Sequence, residues 1–369
     1  MKKILFIFDR VVHYHKDLFQ RLEGDLPGFG CELHLLSGAA AAETTGRVGL
    51  TQPLVKNEAK YRFHEYSVGT YVLRRASGVL PTVRRVRPDI VVCMGHVGNI
   101  THWRLALGKQ RGGYMLFAWQ CGYEYNQGRL KNWILQRFVP RFDHHLAYHR
   151  NAREYALMHG ARPEQVTVIH NTINEARVQC MTKPAARAML REKHPELGGR
   201  RIVLFVGAVL AEKRIDVILD AMSLLARTDV VLVVVGDGPH LAALRAAAHD
   251  RTDVVFAGSV IEGVGPYFDA AEVYVLPGTG GLGINEAMAH SLPIISGYAD
   301  GSADDLVSDG ENGFRLREGS AAELAEKLGA VLIDPDRAAR MGAVSRDWIT
   351  GRFSFEAFLQ RIESALGCR

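Results

Sequence analysis

A chain of 369 residues is longer than one hydrophobic core usually organises, so two domains are expected. Hydrophobic residues at 47% and charged residues at 23% fit an ordinary globular protein, and no apolar run approaches the ~20 residues of a membrane span. The net charge of +5 divides unevenly: Met1–Glu175 carry 24 Lys+Arg against 14 Asp+Glu (+10), and the remaining 21 against 26 give −5.

The first apolar run ends at Asp9 and Arg10 after five residues, too few for a secretory segment, and reads as a buried strand, Ile4 to Phe8. Further strands are expected at Glu32–Leu36, Asp89–Met94, Tyr114–Trp119, His145–Tyr148 and Val166–Ile169. Helical spacing falls between them at Lys16–Glu23, Tyr71–Val86, Asn99–Lys109, Leu130–Phe138 and Asn151–His159. This alternation predicts a doubly wound parallel sheet, and the periodicity lapses at Asn171–Asn174. It then restarts, with strands at Ile202–Val206, Val230–Val235, Val254–Ala257, Val273–Leu276 and Pro293–Ser296. Helices are expected at Ile215–Leu225, Leu241–Ala248, Ile284–His290, Ala321–Ile333 and Asp336–Ile349, and a last one spans Phe353–Leu366.

Five cysteines (Cys31, Cys93, Cys121, Cys180 and Cys368) with no C-x-x-C pair indicate a reducing cytosol and speak against a disulfide framework or a zinc site. The basic N-terminal half calls for an anionic partner, a lipid surface or an anionic acceptor; no binding motif points to nucleic acid. Arg74, Arg75, Arg84, Arg85 and Arg87 crowd one expected helix and its end. Arg129–Phe142 mixes basic residues with Trp133, Ile134, Leu135 and Phe138, the pattern of a helix lying on an anionic membrane or of a core helix with solvated arginines.

The densest signal is Val273–Ile295. A buried strand closed by Pro277 leads to Gly278, Gly280, Gly281 and Gly283, and then to helical spacing. A glycine loop at a helix N-terminus exposes backbone N–H groups and favours an anion. Glu286, expected in the first helical turn, suits a ribose because a carboxylate accepts two hydroxyl hydrogens. Read alone, the stretch is equally a glycine turn with a capping Glu. Upstream, Gly207 follows a strand and Lys213-Arg214 precede a helix, which fits a pyrophosphate clamp. Gly236-Asp237-Gly238-Pro239 and Phe256-x-Gly258 end two further strands and are ambiguous alone.

As an ordered set, these motifs resemble the GT-B glycosyltransferases, above all the large retaining family 4. FVG with Glu212-Lys213-Arg214, GDGP, F-x-G, YFDAAEVYVLPG, Glu286-Ala287-Met288-Ala289, Leu292–Ile295 and DLVSDGENGF follow the family's order over Ile202–Phe314. Trp119-x-x-Gly122, Ala147-Tyr148 and Val168–Thr172 extend the likeness more weakly. The resemblance implies two Rossmann-like domains facing each other across a deep cleft: 1–174 for the acceptor, with 351–369 packing back on it, and 175–350 for a nucleotide-sugar donor. It implies that Lys213 binds phosphate, with Arg214 replacing an arginine that falls on Ala208. Glu286 would hold the ribose, Gly281 and Leu282 would meet the diphosphate with Gly280 and Gly283 beside them in the donor site, and Gly258 and Ser259 would meet the nucleobase. Gly207, Ala208 and Gly236 would line the donor. The family's other glutamate falls on Gly278, so Gly278 and Thr279 are expected to leave room there for water or an altered sugar pose.

In the N-terminal half His96 is the nearest match to the family's functional histidine, and Cys121 reads as a structural thiol. His13, His15, Asn99, Trp119 and Glu124 follow strands on the acceptor side. The expected activity is retaining, metal-independent transfer of a sugar from a UDP- or GDP-type donor to a saccharide or lipid-linked acceptor, with no cofactor. Its expected place is the cytoplasm, peripheral to the membrane. Asp334-Pro335-Asp336 is expected to cap a helix rather than bind metal. A nucleotide-sugar epimerase and a non-catalytic partner subunit are the rival readings.

Overall fold

The computed structural model describes residues 1–9, 11, 13–38, 53–68, 71–122, 128–260 and 262–368. They form two units, Met1–Asn171 with Phe358–Arg369, and Thr172–Ala357. In the first unit, short apolar runs become β1 (Lys2–Phe8), β2 (Cys31–Gly38), β3 (Glu58–Val68), β4 (Tyr71–Ser77), β5 (Ile90–Cys93), β6 (Met115–Gln120), β7 (His144–Ala147) and β8 (Val166–Val168). They order as β4-β3-β2-β1-β5-β6-β7-β8, parallel throughout except for the antiparallel β3–β4 edge. Ile4–Phe8 are buried, as a central strand covered on both faces must be.

That edge corrects the expectation of one helix over Tyr71–Val86. Tyr71–Ser77 is a strand paired with Arg62–Val68, and only Val79–Val86 is helical. Gly78, at φ 92°, turns the chain between them in a conformation that residues with a side chain rarely adopt. Arg74 sits on the strand and pairs with Glu65 across the ladder at 2.8 Å, so Arg74 and Arg75 are not part of a basic helix. Cross-strand pairing outweighed a local periodicity.

The second unit holds β9 (Arg201–Val206), β10 (Val230–Val235), β11 (Val254–Gly258), β12 (Val273–Leu276), β13 (Ile294–Ser296) and β14 (Gly313–Arg315). Their order is β11-β10-β9-β12-β13-β14, every pair parallel. The whole of β10 is buried between the covering helices. Helix Lys183–Lys193 was not expected from the sequence, because it offers the core only Ala186 and Leu190. The last helix, Phe355–Ala365, starts in the second unit, where the Phe355 N–H donates to Glu175 at 2.8 Å. It ends in the first, with Phe358, Leu359, Ile362 and Leu366 buried and the Phe358 ring 6.1 Å from Trp119. Among the described residues no helix is long and apolar enough to cross a membrane.

Candidate functional site

Because all six strands of the second unit run parallel, their C-terminal loops share one edge of the sheet. There the loops after β9 and β10 touch backbone to backbone: a Cβ on Gly236 would lie 1.9 Å from the Gly207 carbonyl oxygen. Gly258 ends β11, with Ser259 exposed beside it.

The loop after β12 is bound to the turn that carries Lys213. The Gly278 N–H donates to the Lys213 carbonyl at 3.1 Å, and the Thr279 N–H to the Glu212 carbonyl at 2.9 Å. A Cβ on Gly278 would stand 2.1 Å from the Glu212 oxygen and 2.5 Å from the Lys213 carbonyl carbon. The expectation that Gly278 leaves room for water or a repositioned sugar is therefore wrong: the 212–213 backbone fills that room. Glycine is required because two main chains meet there. The Lys213 ammonium donates to the Thr279 carbonyl at 2.5 Å and lies 3.0 Å from where a Cβ of Gly280 would be. A cation is thus held over a loop of small residues that leads into a helix N-terminus, an arrangement that favours phosphate. Arg214, at φ 55°, starts the helix Ile215–Leu225, and its guanidinium turns toward Gly319, 2.9 Å from a Cβ placed there. Ala208 is only half-buried beside Gly207.

The helix after the loop runs Leu282–Ala289, two residues earlier than expected, so Glu286 falls in its second turn rather than its first. Gly283 presses on the Tyr274 hydroxyl, and the Asp300 carboxylate lies against Gly281, 2.5 Å from a Cβ built on it. Burial pushes the Glu286 carboxyl above the usual carboxylate range, and His290 partly opposes that rise. His290 Nε2 stands 3.9 Å from Glu286, its Nδ1 is 2.7 Å from Asp269, and its ring stacks on Phe268 at 5.2 Å. Sequence reasoning missed His290 and Asp269. The four-residue spacing from Glu286 was the signal for His290; Asp269 had none.

A carboxyl raised in the folded state binds its proton more tightly there than in the unfolded chain. Stability is then lost as pH climbs above the unfolded value. Glu286→Gln is expected to raise the unfolding temperature of the ligand-free protein at neutral pH, with the gain vanishing near about pH 4. The same variant should bind nucleotide more weakly. Thermal unfolding at both pH values, with and without nucleotide, measures the two effects.

In the first unit, His96 follows β5 with its side chain 41% exposed, and its Nε2 is 3.9 Å from Asp9 at the end of β1. Asp9 also accepts from the Tyr61 hydroxyl at 2.9 Å, and His96 stacks on His102 at 6.2 Å. Burial pushes His102 down to about 4, so it is neutral near pH 7. Asp9 and Tyr61 were not foreseen. Two expected acceptor contacts are corrected. Asn99 is fully buried, its carbonyl capping Thr101 N–H at 3.0 Å and its amide 3.3 Å from His102. Trp119 is also buried, donating to the Tyr148 hydroxyl at 2.7 Å among Phe6, Phe8 and Phe358. Both serve the core. His15 packs edge-on against Phe8 at 5.3 Å. His13 lies in the short helix His13–His15, with its side chain outside the described set, and Glu124 lies outside the described residues. Asp334 caps the helix Pro335–Thr350 by accepting from the Arg337 N–H at 2.9 Å.

Residues 200–334 match the family described as Glycosyl transferases group 1. A GDP-mannose-dependent alpha-(1-6)-phosphatidylinositol monomannoside mannosyltransferase of Mycobacterium tuberculosis is 35% identical over 199 residues, 50% of this chain and 51% of that protein. The Alpha-D-kanosaminyltransferase of Streptomyces kanamyceticus is 30% identical over 182 residues, 47% of each. The chain thus spans about half the length of the curated relatives it matches. Among solved structures, Anabaena HepE in complex with UDP superposes with a TM-score of 0.77 at 18% identity, over 100% of both chains. A sucrose-phosphate synthase from Thermosynechococcus elongatus gives 0.74 at 17%, over 100% of this chain and 98% of the other. These likenesses establish the fold, α/β with two parallel-sheet domains as in the GT-B glycosyltransferases.

Proposed function

We propose that this chain, whose residues 200–334 match the glycosyl transferases group 1 family, moves a sugar from a nucleotide diphosphate donor to an acceptor hydroxyl. The observation that carries this reading is the Lys213 ammonium fixed over the glycine loop by the two backbone hydrogen bonds to Gly278 and Thr279. Charge develops on the leaving diphosphate during transfer, and a cation and bare amides already in place stabilise it without reorganising. Glu286 accepts the two ribose hydroxyls, and Gly258 and Ser259 face the base. Transfer with retention follows from the family likeness: the departing phosphate takes the acceptor proton, so no paired carboxylates are needed. The mannosyltransferase relatives are GDP-mannose-dependent, which favours a guanosine donor.

A panel of GDP-mannose, UDP-glucose, GDP and UDP tests the reading by thermal shift. A ligand that binds only the folded state at a hundred times its Kd adds about 2.7 kcal/mol of apparent stability. The guanosine ligands are expected to give the larger rise; no rise with any of the four removes the proposal. A second reading, a non-catalytic subunit, rests on Gly278, which brings no carboxylate to the donor. Turnover of a donor that shifts stability decides against it.

For the acceptor we infer a lipid-linked or saccharide hydroxyl met at a membrane surface. Helix Arg129–Phe138 buries Leu135 and Phe138 but leaves Leu130 64% and Trp133 52% exposed, with the Arg137 guanidinium 3.6 Å over the Trp133 ring. Exposed apolar residues flanked by arginines fit an anionic bilayer interface. Co-sedimentation with anionic vesicles at low salt is expected, and to be reduced in Trp133→Ala. Failure of the unaltered chain to sediment ends this part of the reading.

A further inference from the structure

Three segments far apart in sequence bring potential metal ligands to one point in the second unit. Cys180 lies in the stretch before helix Lys183–Lys193, Asp269 in helix Gly265–Ala270, and His290 at the end of Leu282–Ala289. One ligand atom from each lies within 4.8 Å of the other two. Cys180 Sγ is 3.7 Å from His290 Nδ1, and Asp269 Oδ1 is 2.7 Å from the same nitrogen. That shared nitrogen decides what the cluster can do. In a nucleophilic triad the thiol and the carboxylate engage opposite nitrogens of the ring. Here both converge on Nδ1, as donors around a single cation do.

We propose that Cys180, Asp269 and His290 bind a divalent cation of the borderline-soft class, for which Zn2+ is the type. A thiolate, an imidazole and a carboxylate are the ligands zinc takes, with a fourth position left for water. The His290 and Asp269 side chains are 1% and 3% exposed, whereas Cys180 is exposed, so a cation enters from the Cys180 side. The 3.7 Å between Sγ and Nδ1 fits a tetrahedral edge of about 3.5 Å built from typical Zn–S and Zn–N bonds. The carboxylate oxygen must withdraw from Nδ1 by about 0.6 Å to reach its own tetrahedral edge, exchanging a hydrogen bond for a metal bond. Supporting contacts are in place. The Met181 N–H donates to the other Asp269 oxygen at 2.9 Å, and Phe268 holds the imidazole plane. Arg346, which donates to the Ala289 carbonyl, sets its charge near Cys180 and competes with a cation for the thiolate. Binding needs the thiol proton and any Nδ1 proton released, leaving the imidazole proton on Nε2. That N–H then lies on the side of Glu286, 3.9 Å away. The site itself stands whatever Glu286 binds.

The full chain, stripped with a chelator and titrated with Co2+ and then Zn2+, tests this. One equivalent of Co2+ is expected to give a thiolate-to-metal charge-transfer band in the near ultraviolet and the strong visible bands of a tetrahedral ion. Cys180→Ser should abolish the charge-transfer band, and its metal-free unfolding temperature should match the unaltered chain because Cys180 is exposed. Asp269→Asn should keep the band while Zn2+ affinity falls, because one of three protein ligands loses its charge. An unaltered chain without the band, or a Zn2+ affinity unchanged in either variant, overturns the site.

Discussion

Lys213→Ala is expected to abolish the nucleotide-dependent rise in unfolding temperature and to lower kcat/KM for transfer by about 10²–10³, or ~3–4 kcal/mol. The structure places the ammonium on the glycine loop, 2.5 Å from the Thr279 carbonyl. Removing it leaves amides and a helix end to meet a developing dianion. The ligand-free protein should lose only about 1 kcal/mol, the net worth of one hydrogen bond to a backbone carbonyl. Lys213→Arg should rescue little, because a planar fork cannot occupy the point-charge position 3.0 Å from Gly280. Calorimetry with the nucleotide that shifts the unaltered chain, alongside initial rates, separates binding from turnover. Full nucleotide affinity in the alanine variant would remove Lys213 from the site.

Gly278→Ala is expected to be nearly as damaging, for a different reason. Its Cβ would meet the Glu212 oxygen at 2.1 Å and the Lys213 carbonyl at 2.5–2.6 Å, and these are main-chain atoms that cannot swing aside. The two segments must part, breaking the hydrogen bonds at Gly278 and Thr279. Overpacking of this kind costs about 1–3 kcal/mol of stability. Nucleotide binding should fall together with stability, since Lys213 moves off the loop. Gly278→Glu, which restores the residue usual in the family, should fare no better. Gly28→Ala, at a position with nothing within 4 Å of a new Cβ, is the control and should leave both properties unchanged. Denaturant unfolding and calorimetry on the three variants measure this. A Gly278→Ala chain with normal binding would show that the clamp does not position Lys213.

What could be read from the sequence was what is local. Short buried runs and 3.6-residue spacing announced the tandem parallel units, and the glycine loop, Lys213 and Glu286 stood out because each motif fits within a few residues. Strands β3 and β4 escaped because their polar alternation is settled by a partner across the ladder. Asn99 and Trp119 looked functional from their place after a strand, yet buried cap and core contacts claim them. The room imagined at Gly278 failed on a tertiary approach that no spacing encodes. Cysteine spacing argued against a zinc site, but Cys180, Asp269 and His290 meet only through folding.

The last helix bears on the order in which the chain matures. Phe358, Leu359, Ile362 and Leu366 complete the hydrophobic interior that begins with Ile4 to Phe8, more than 350 positions earlier. During synthesis, therefore, the leading unit leaves the ribosome with its interior unfinished while the trailing unit is assembled. Its apolar surface waits for Phe358 to Leu366, an interval in which chaperones, or premature association with other chains, compete for it.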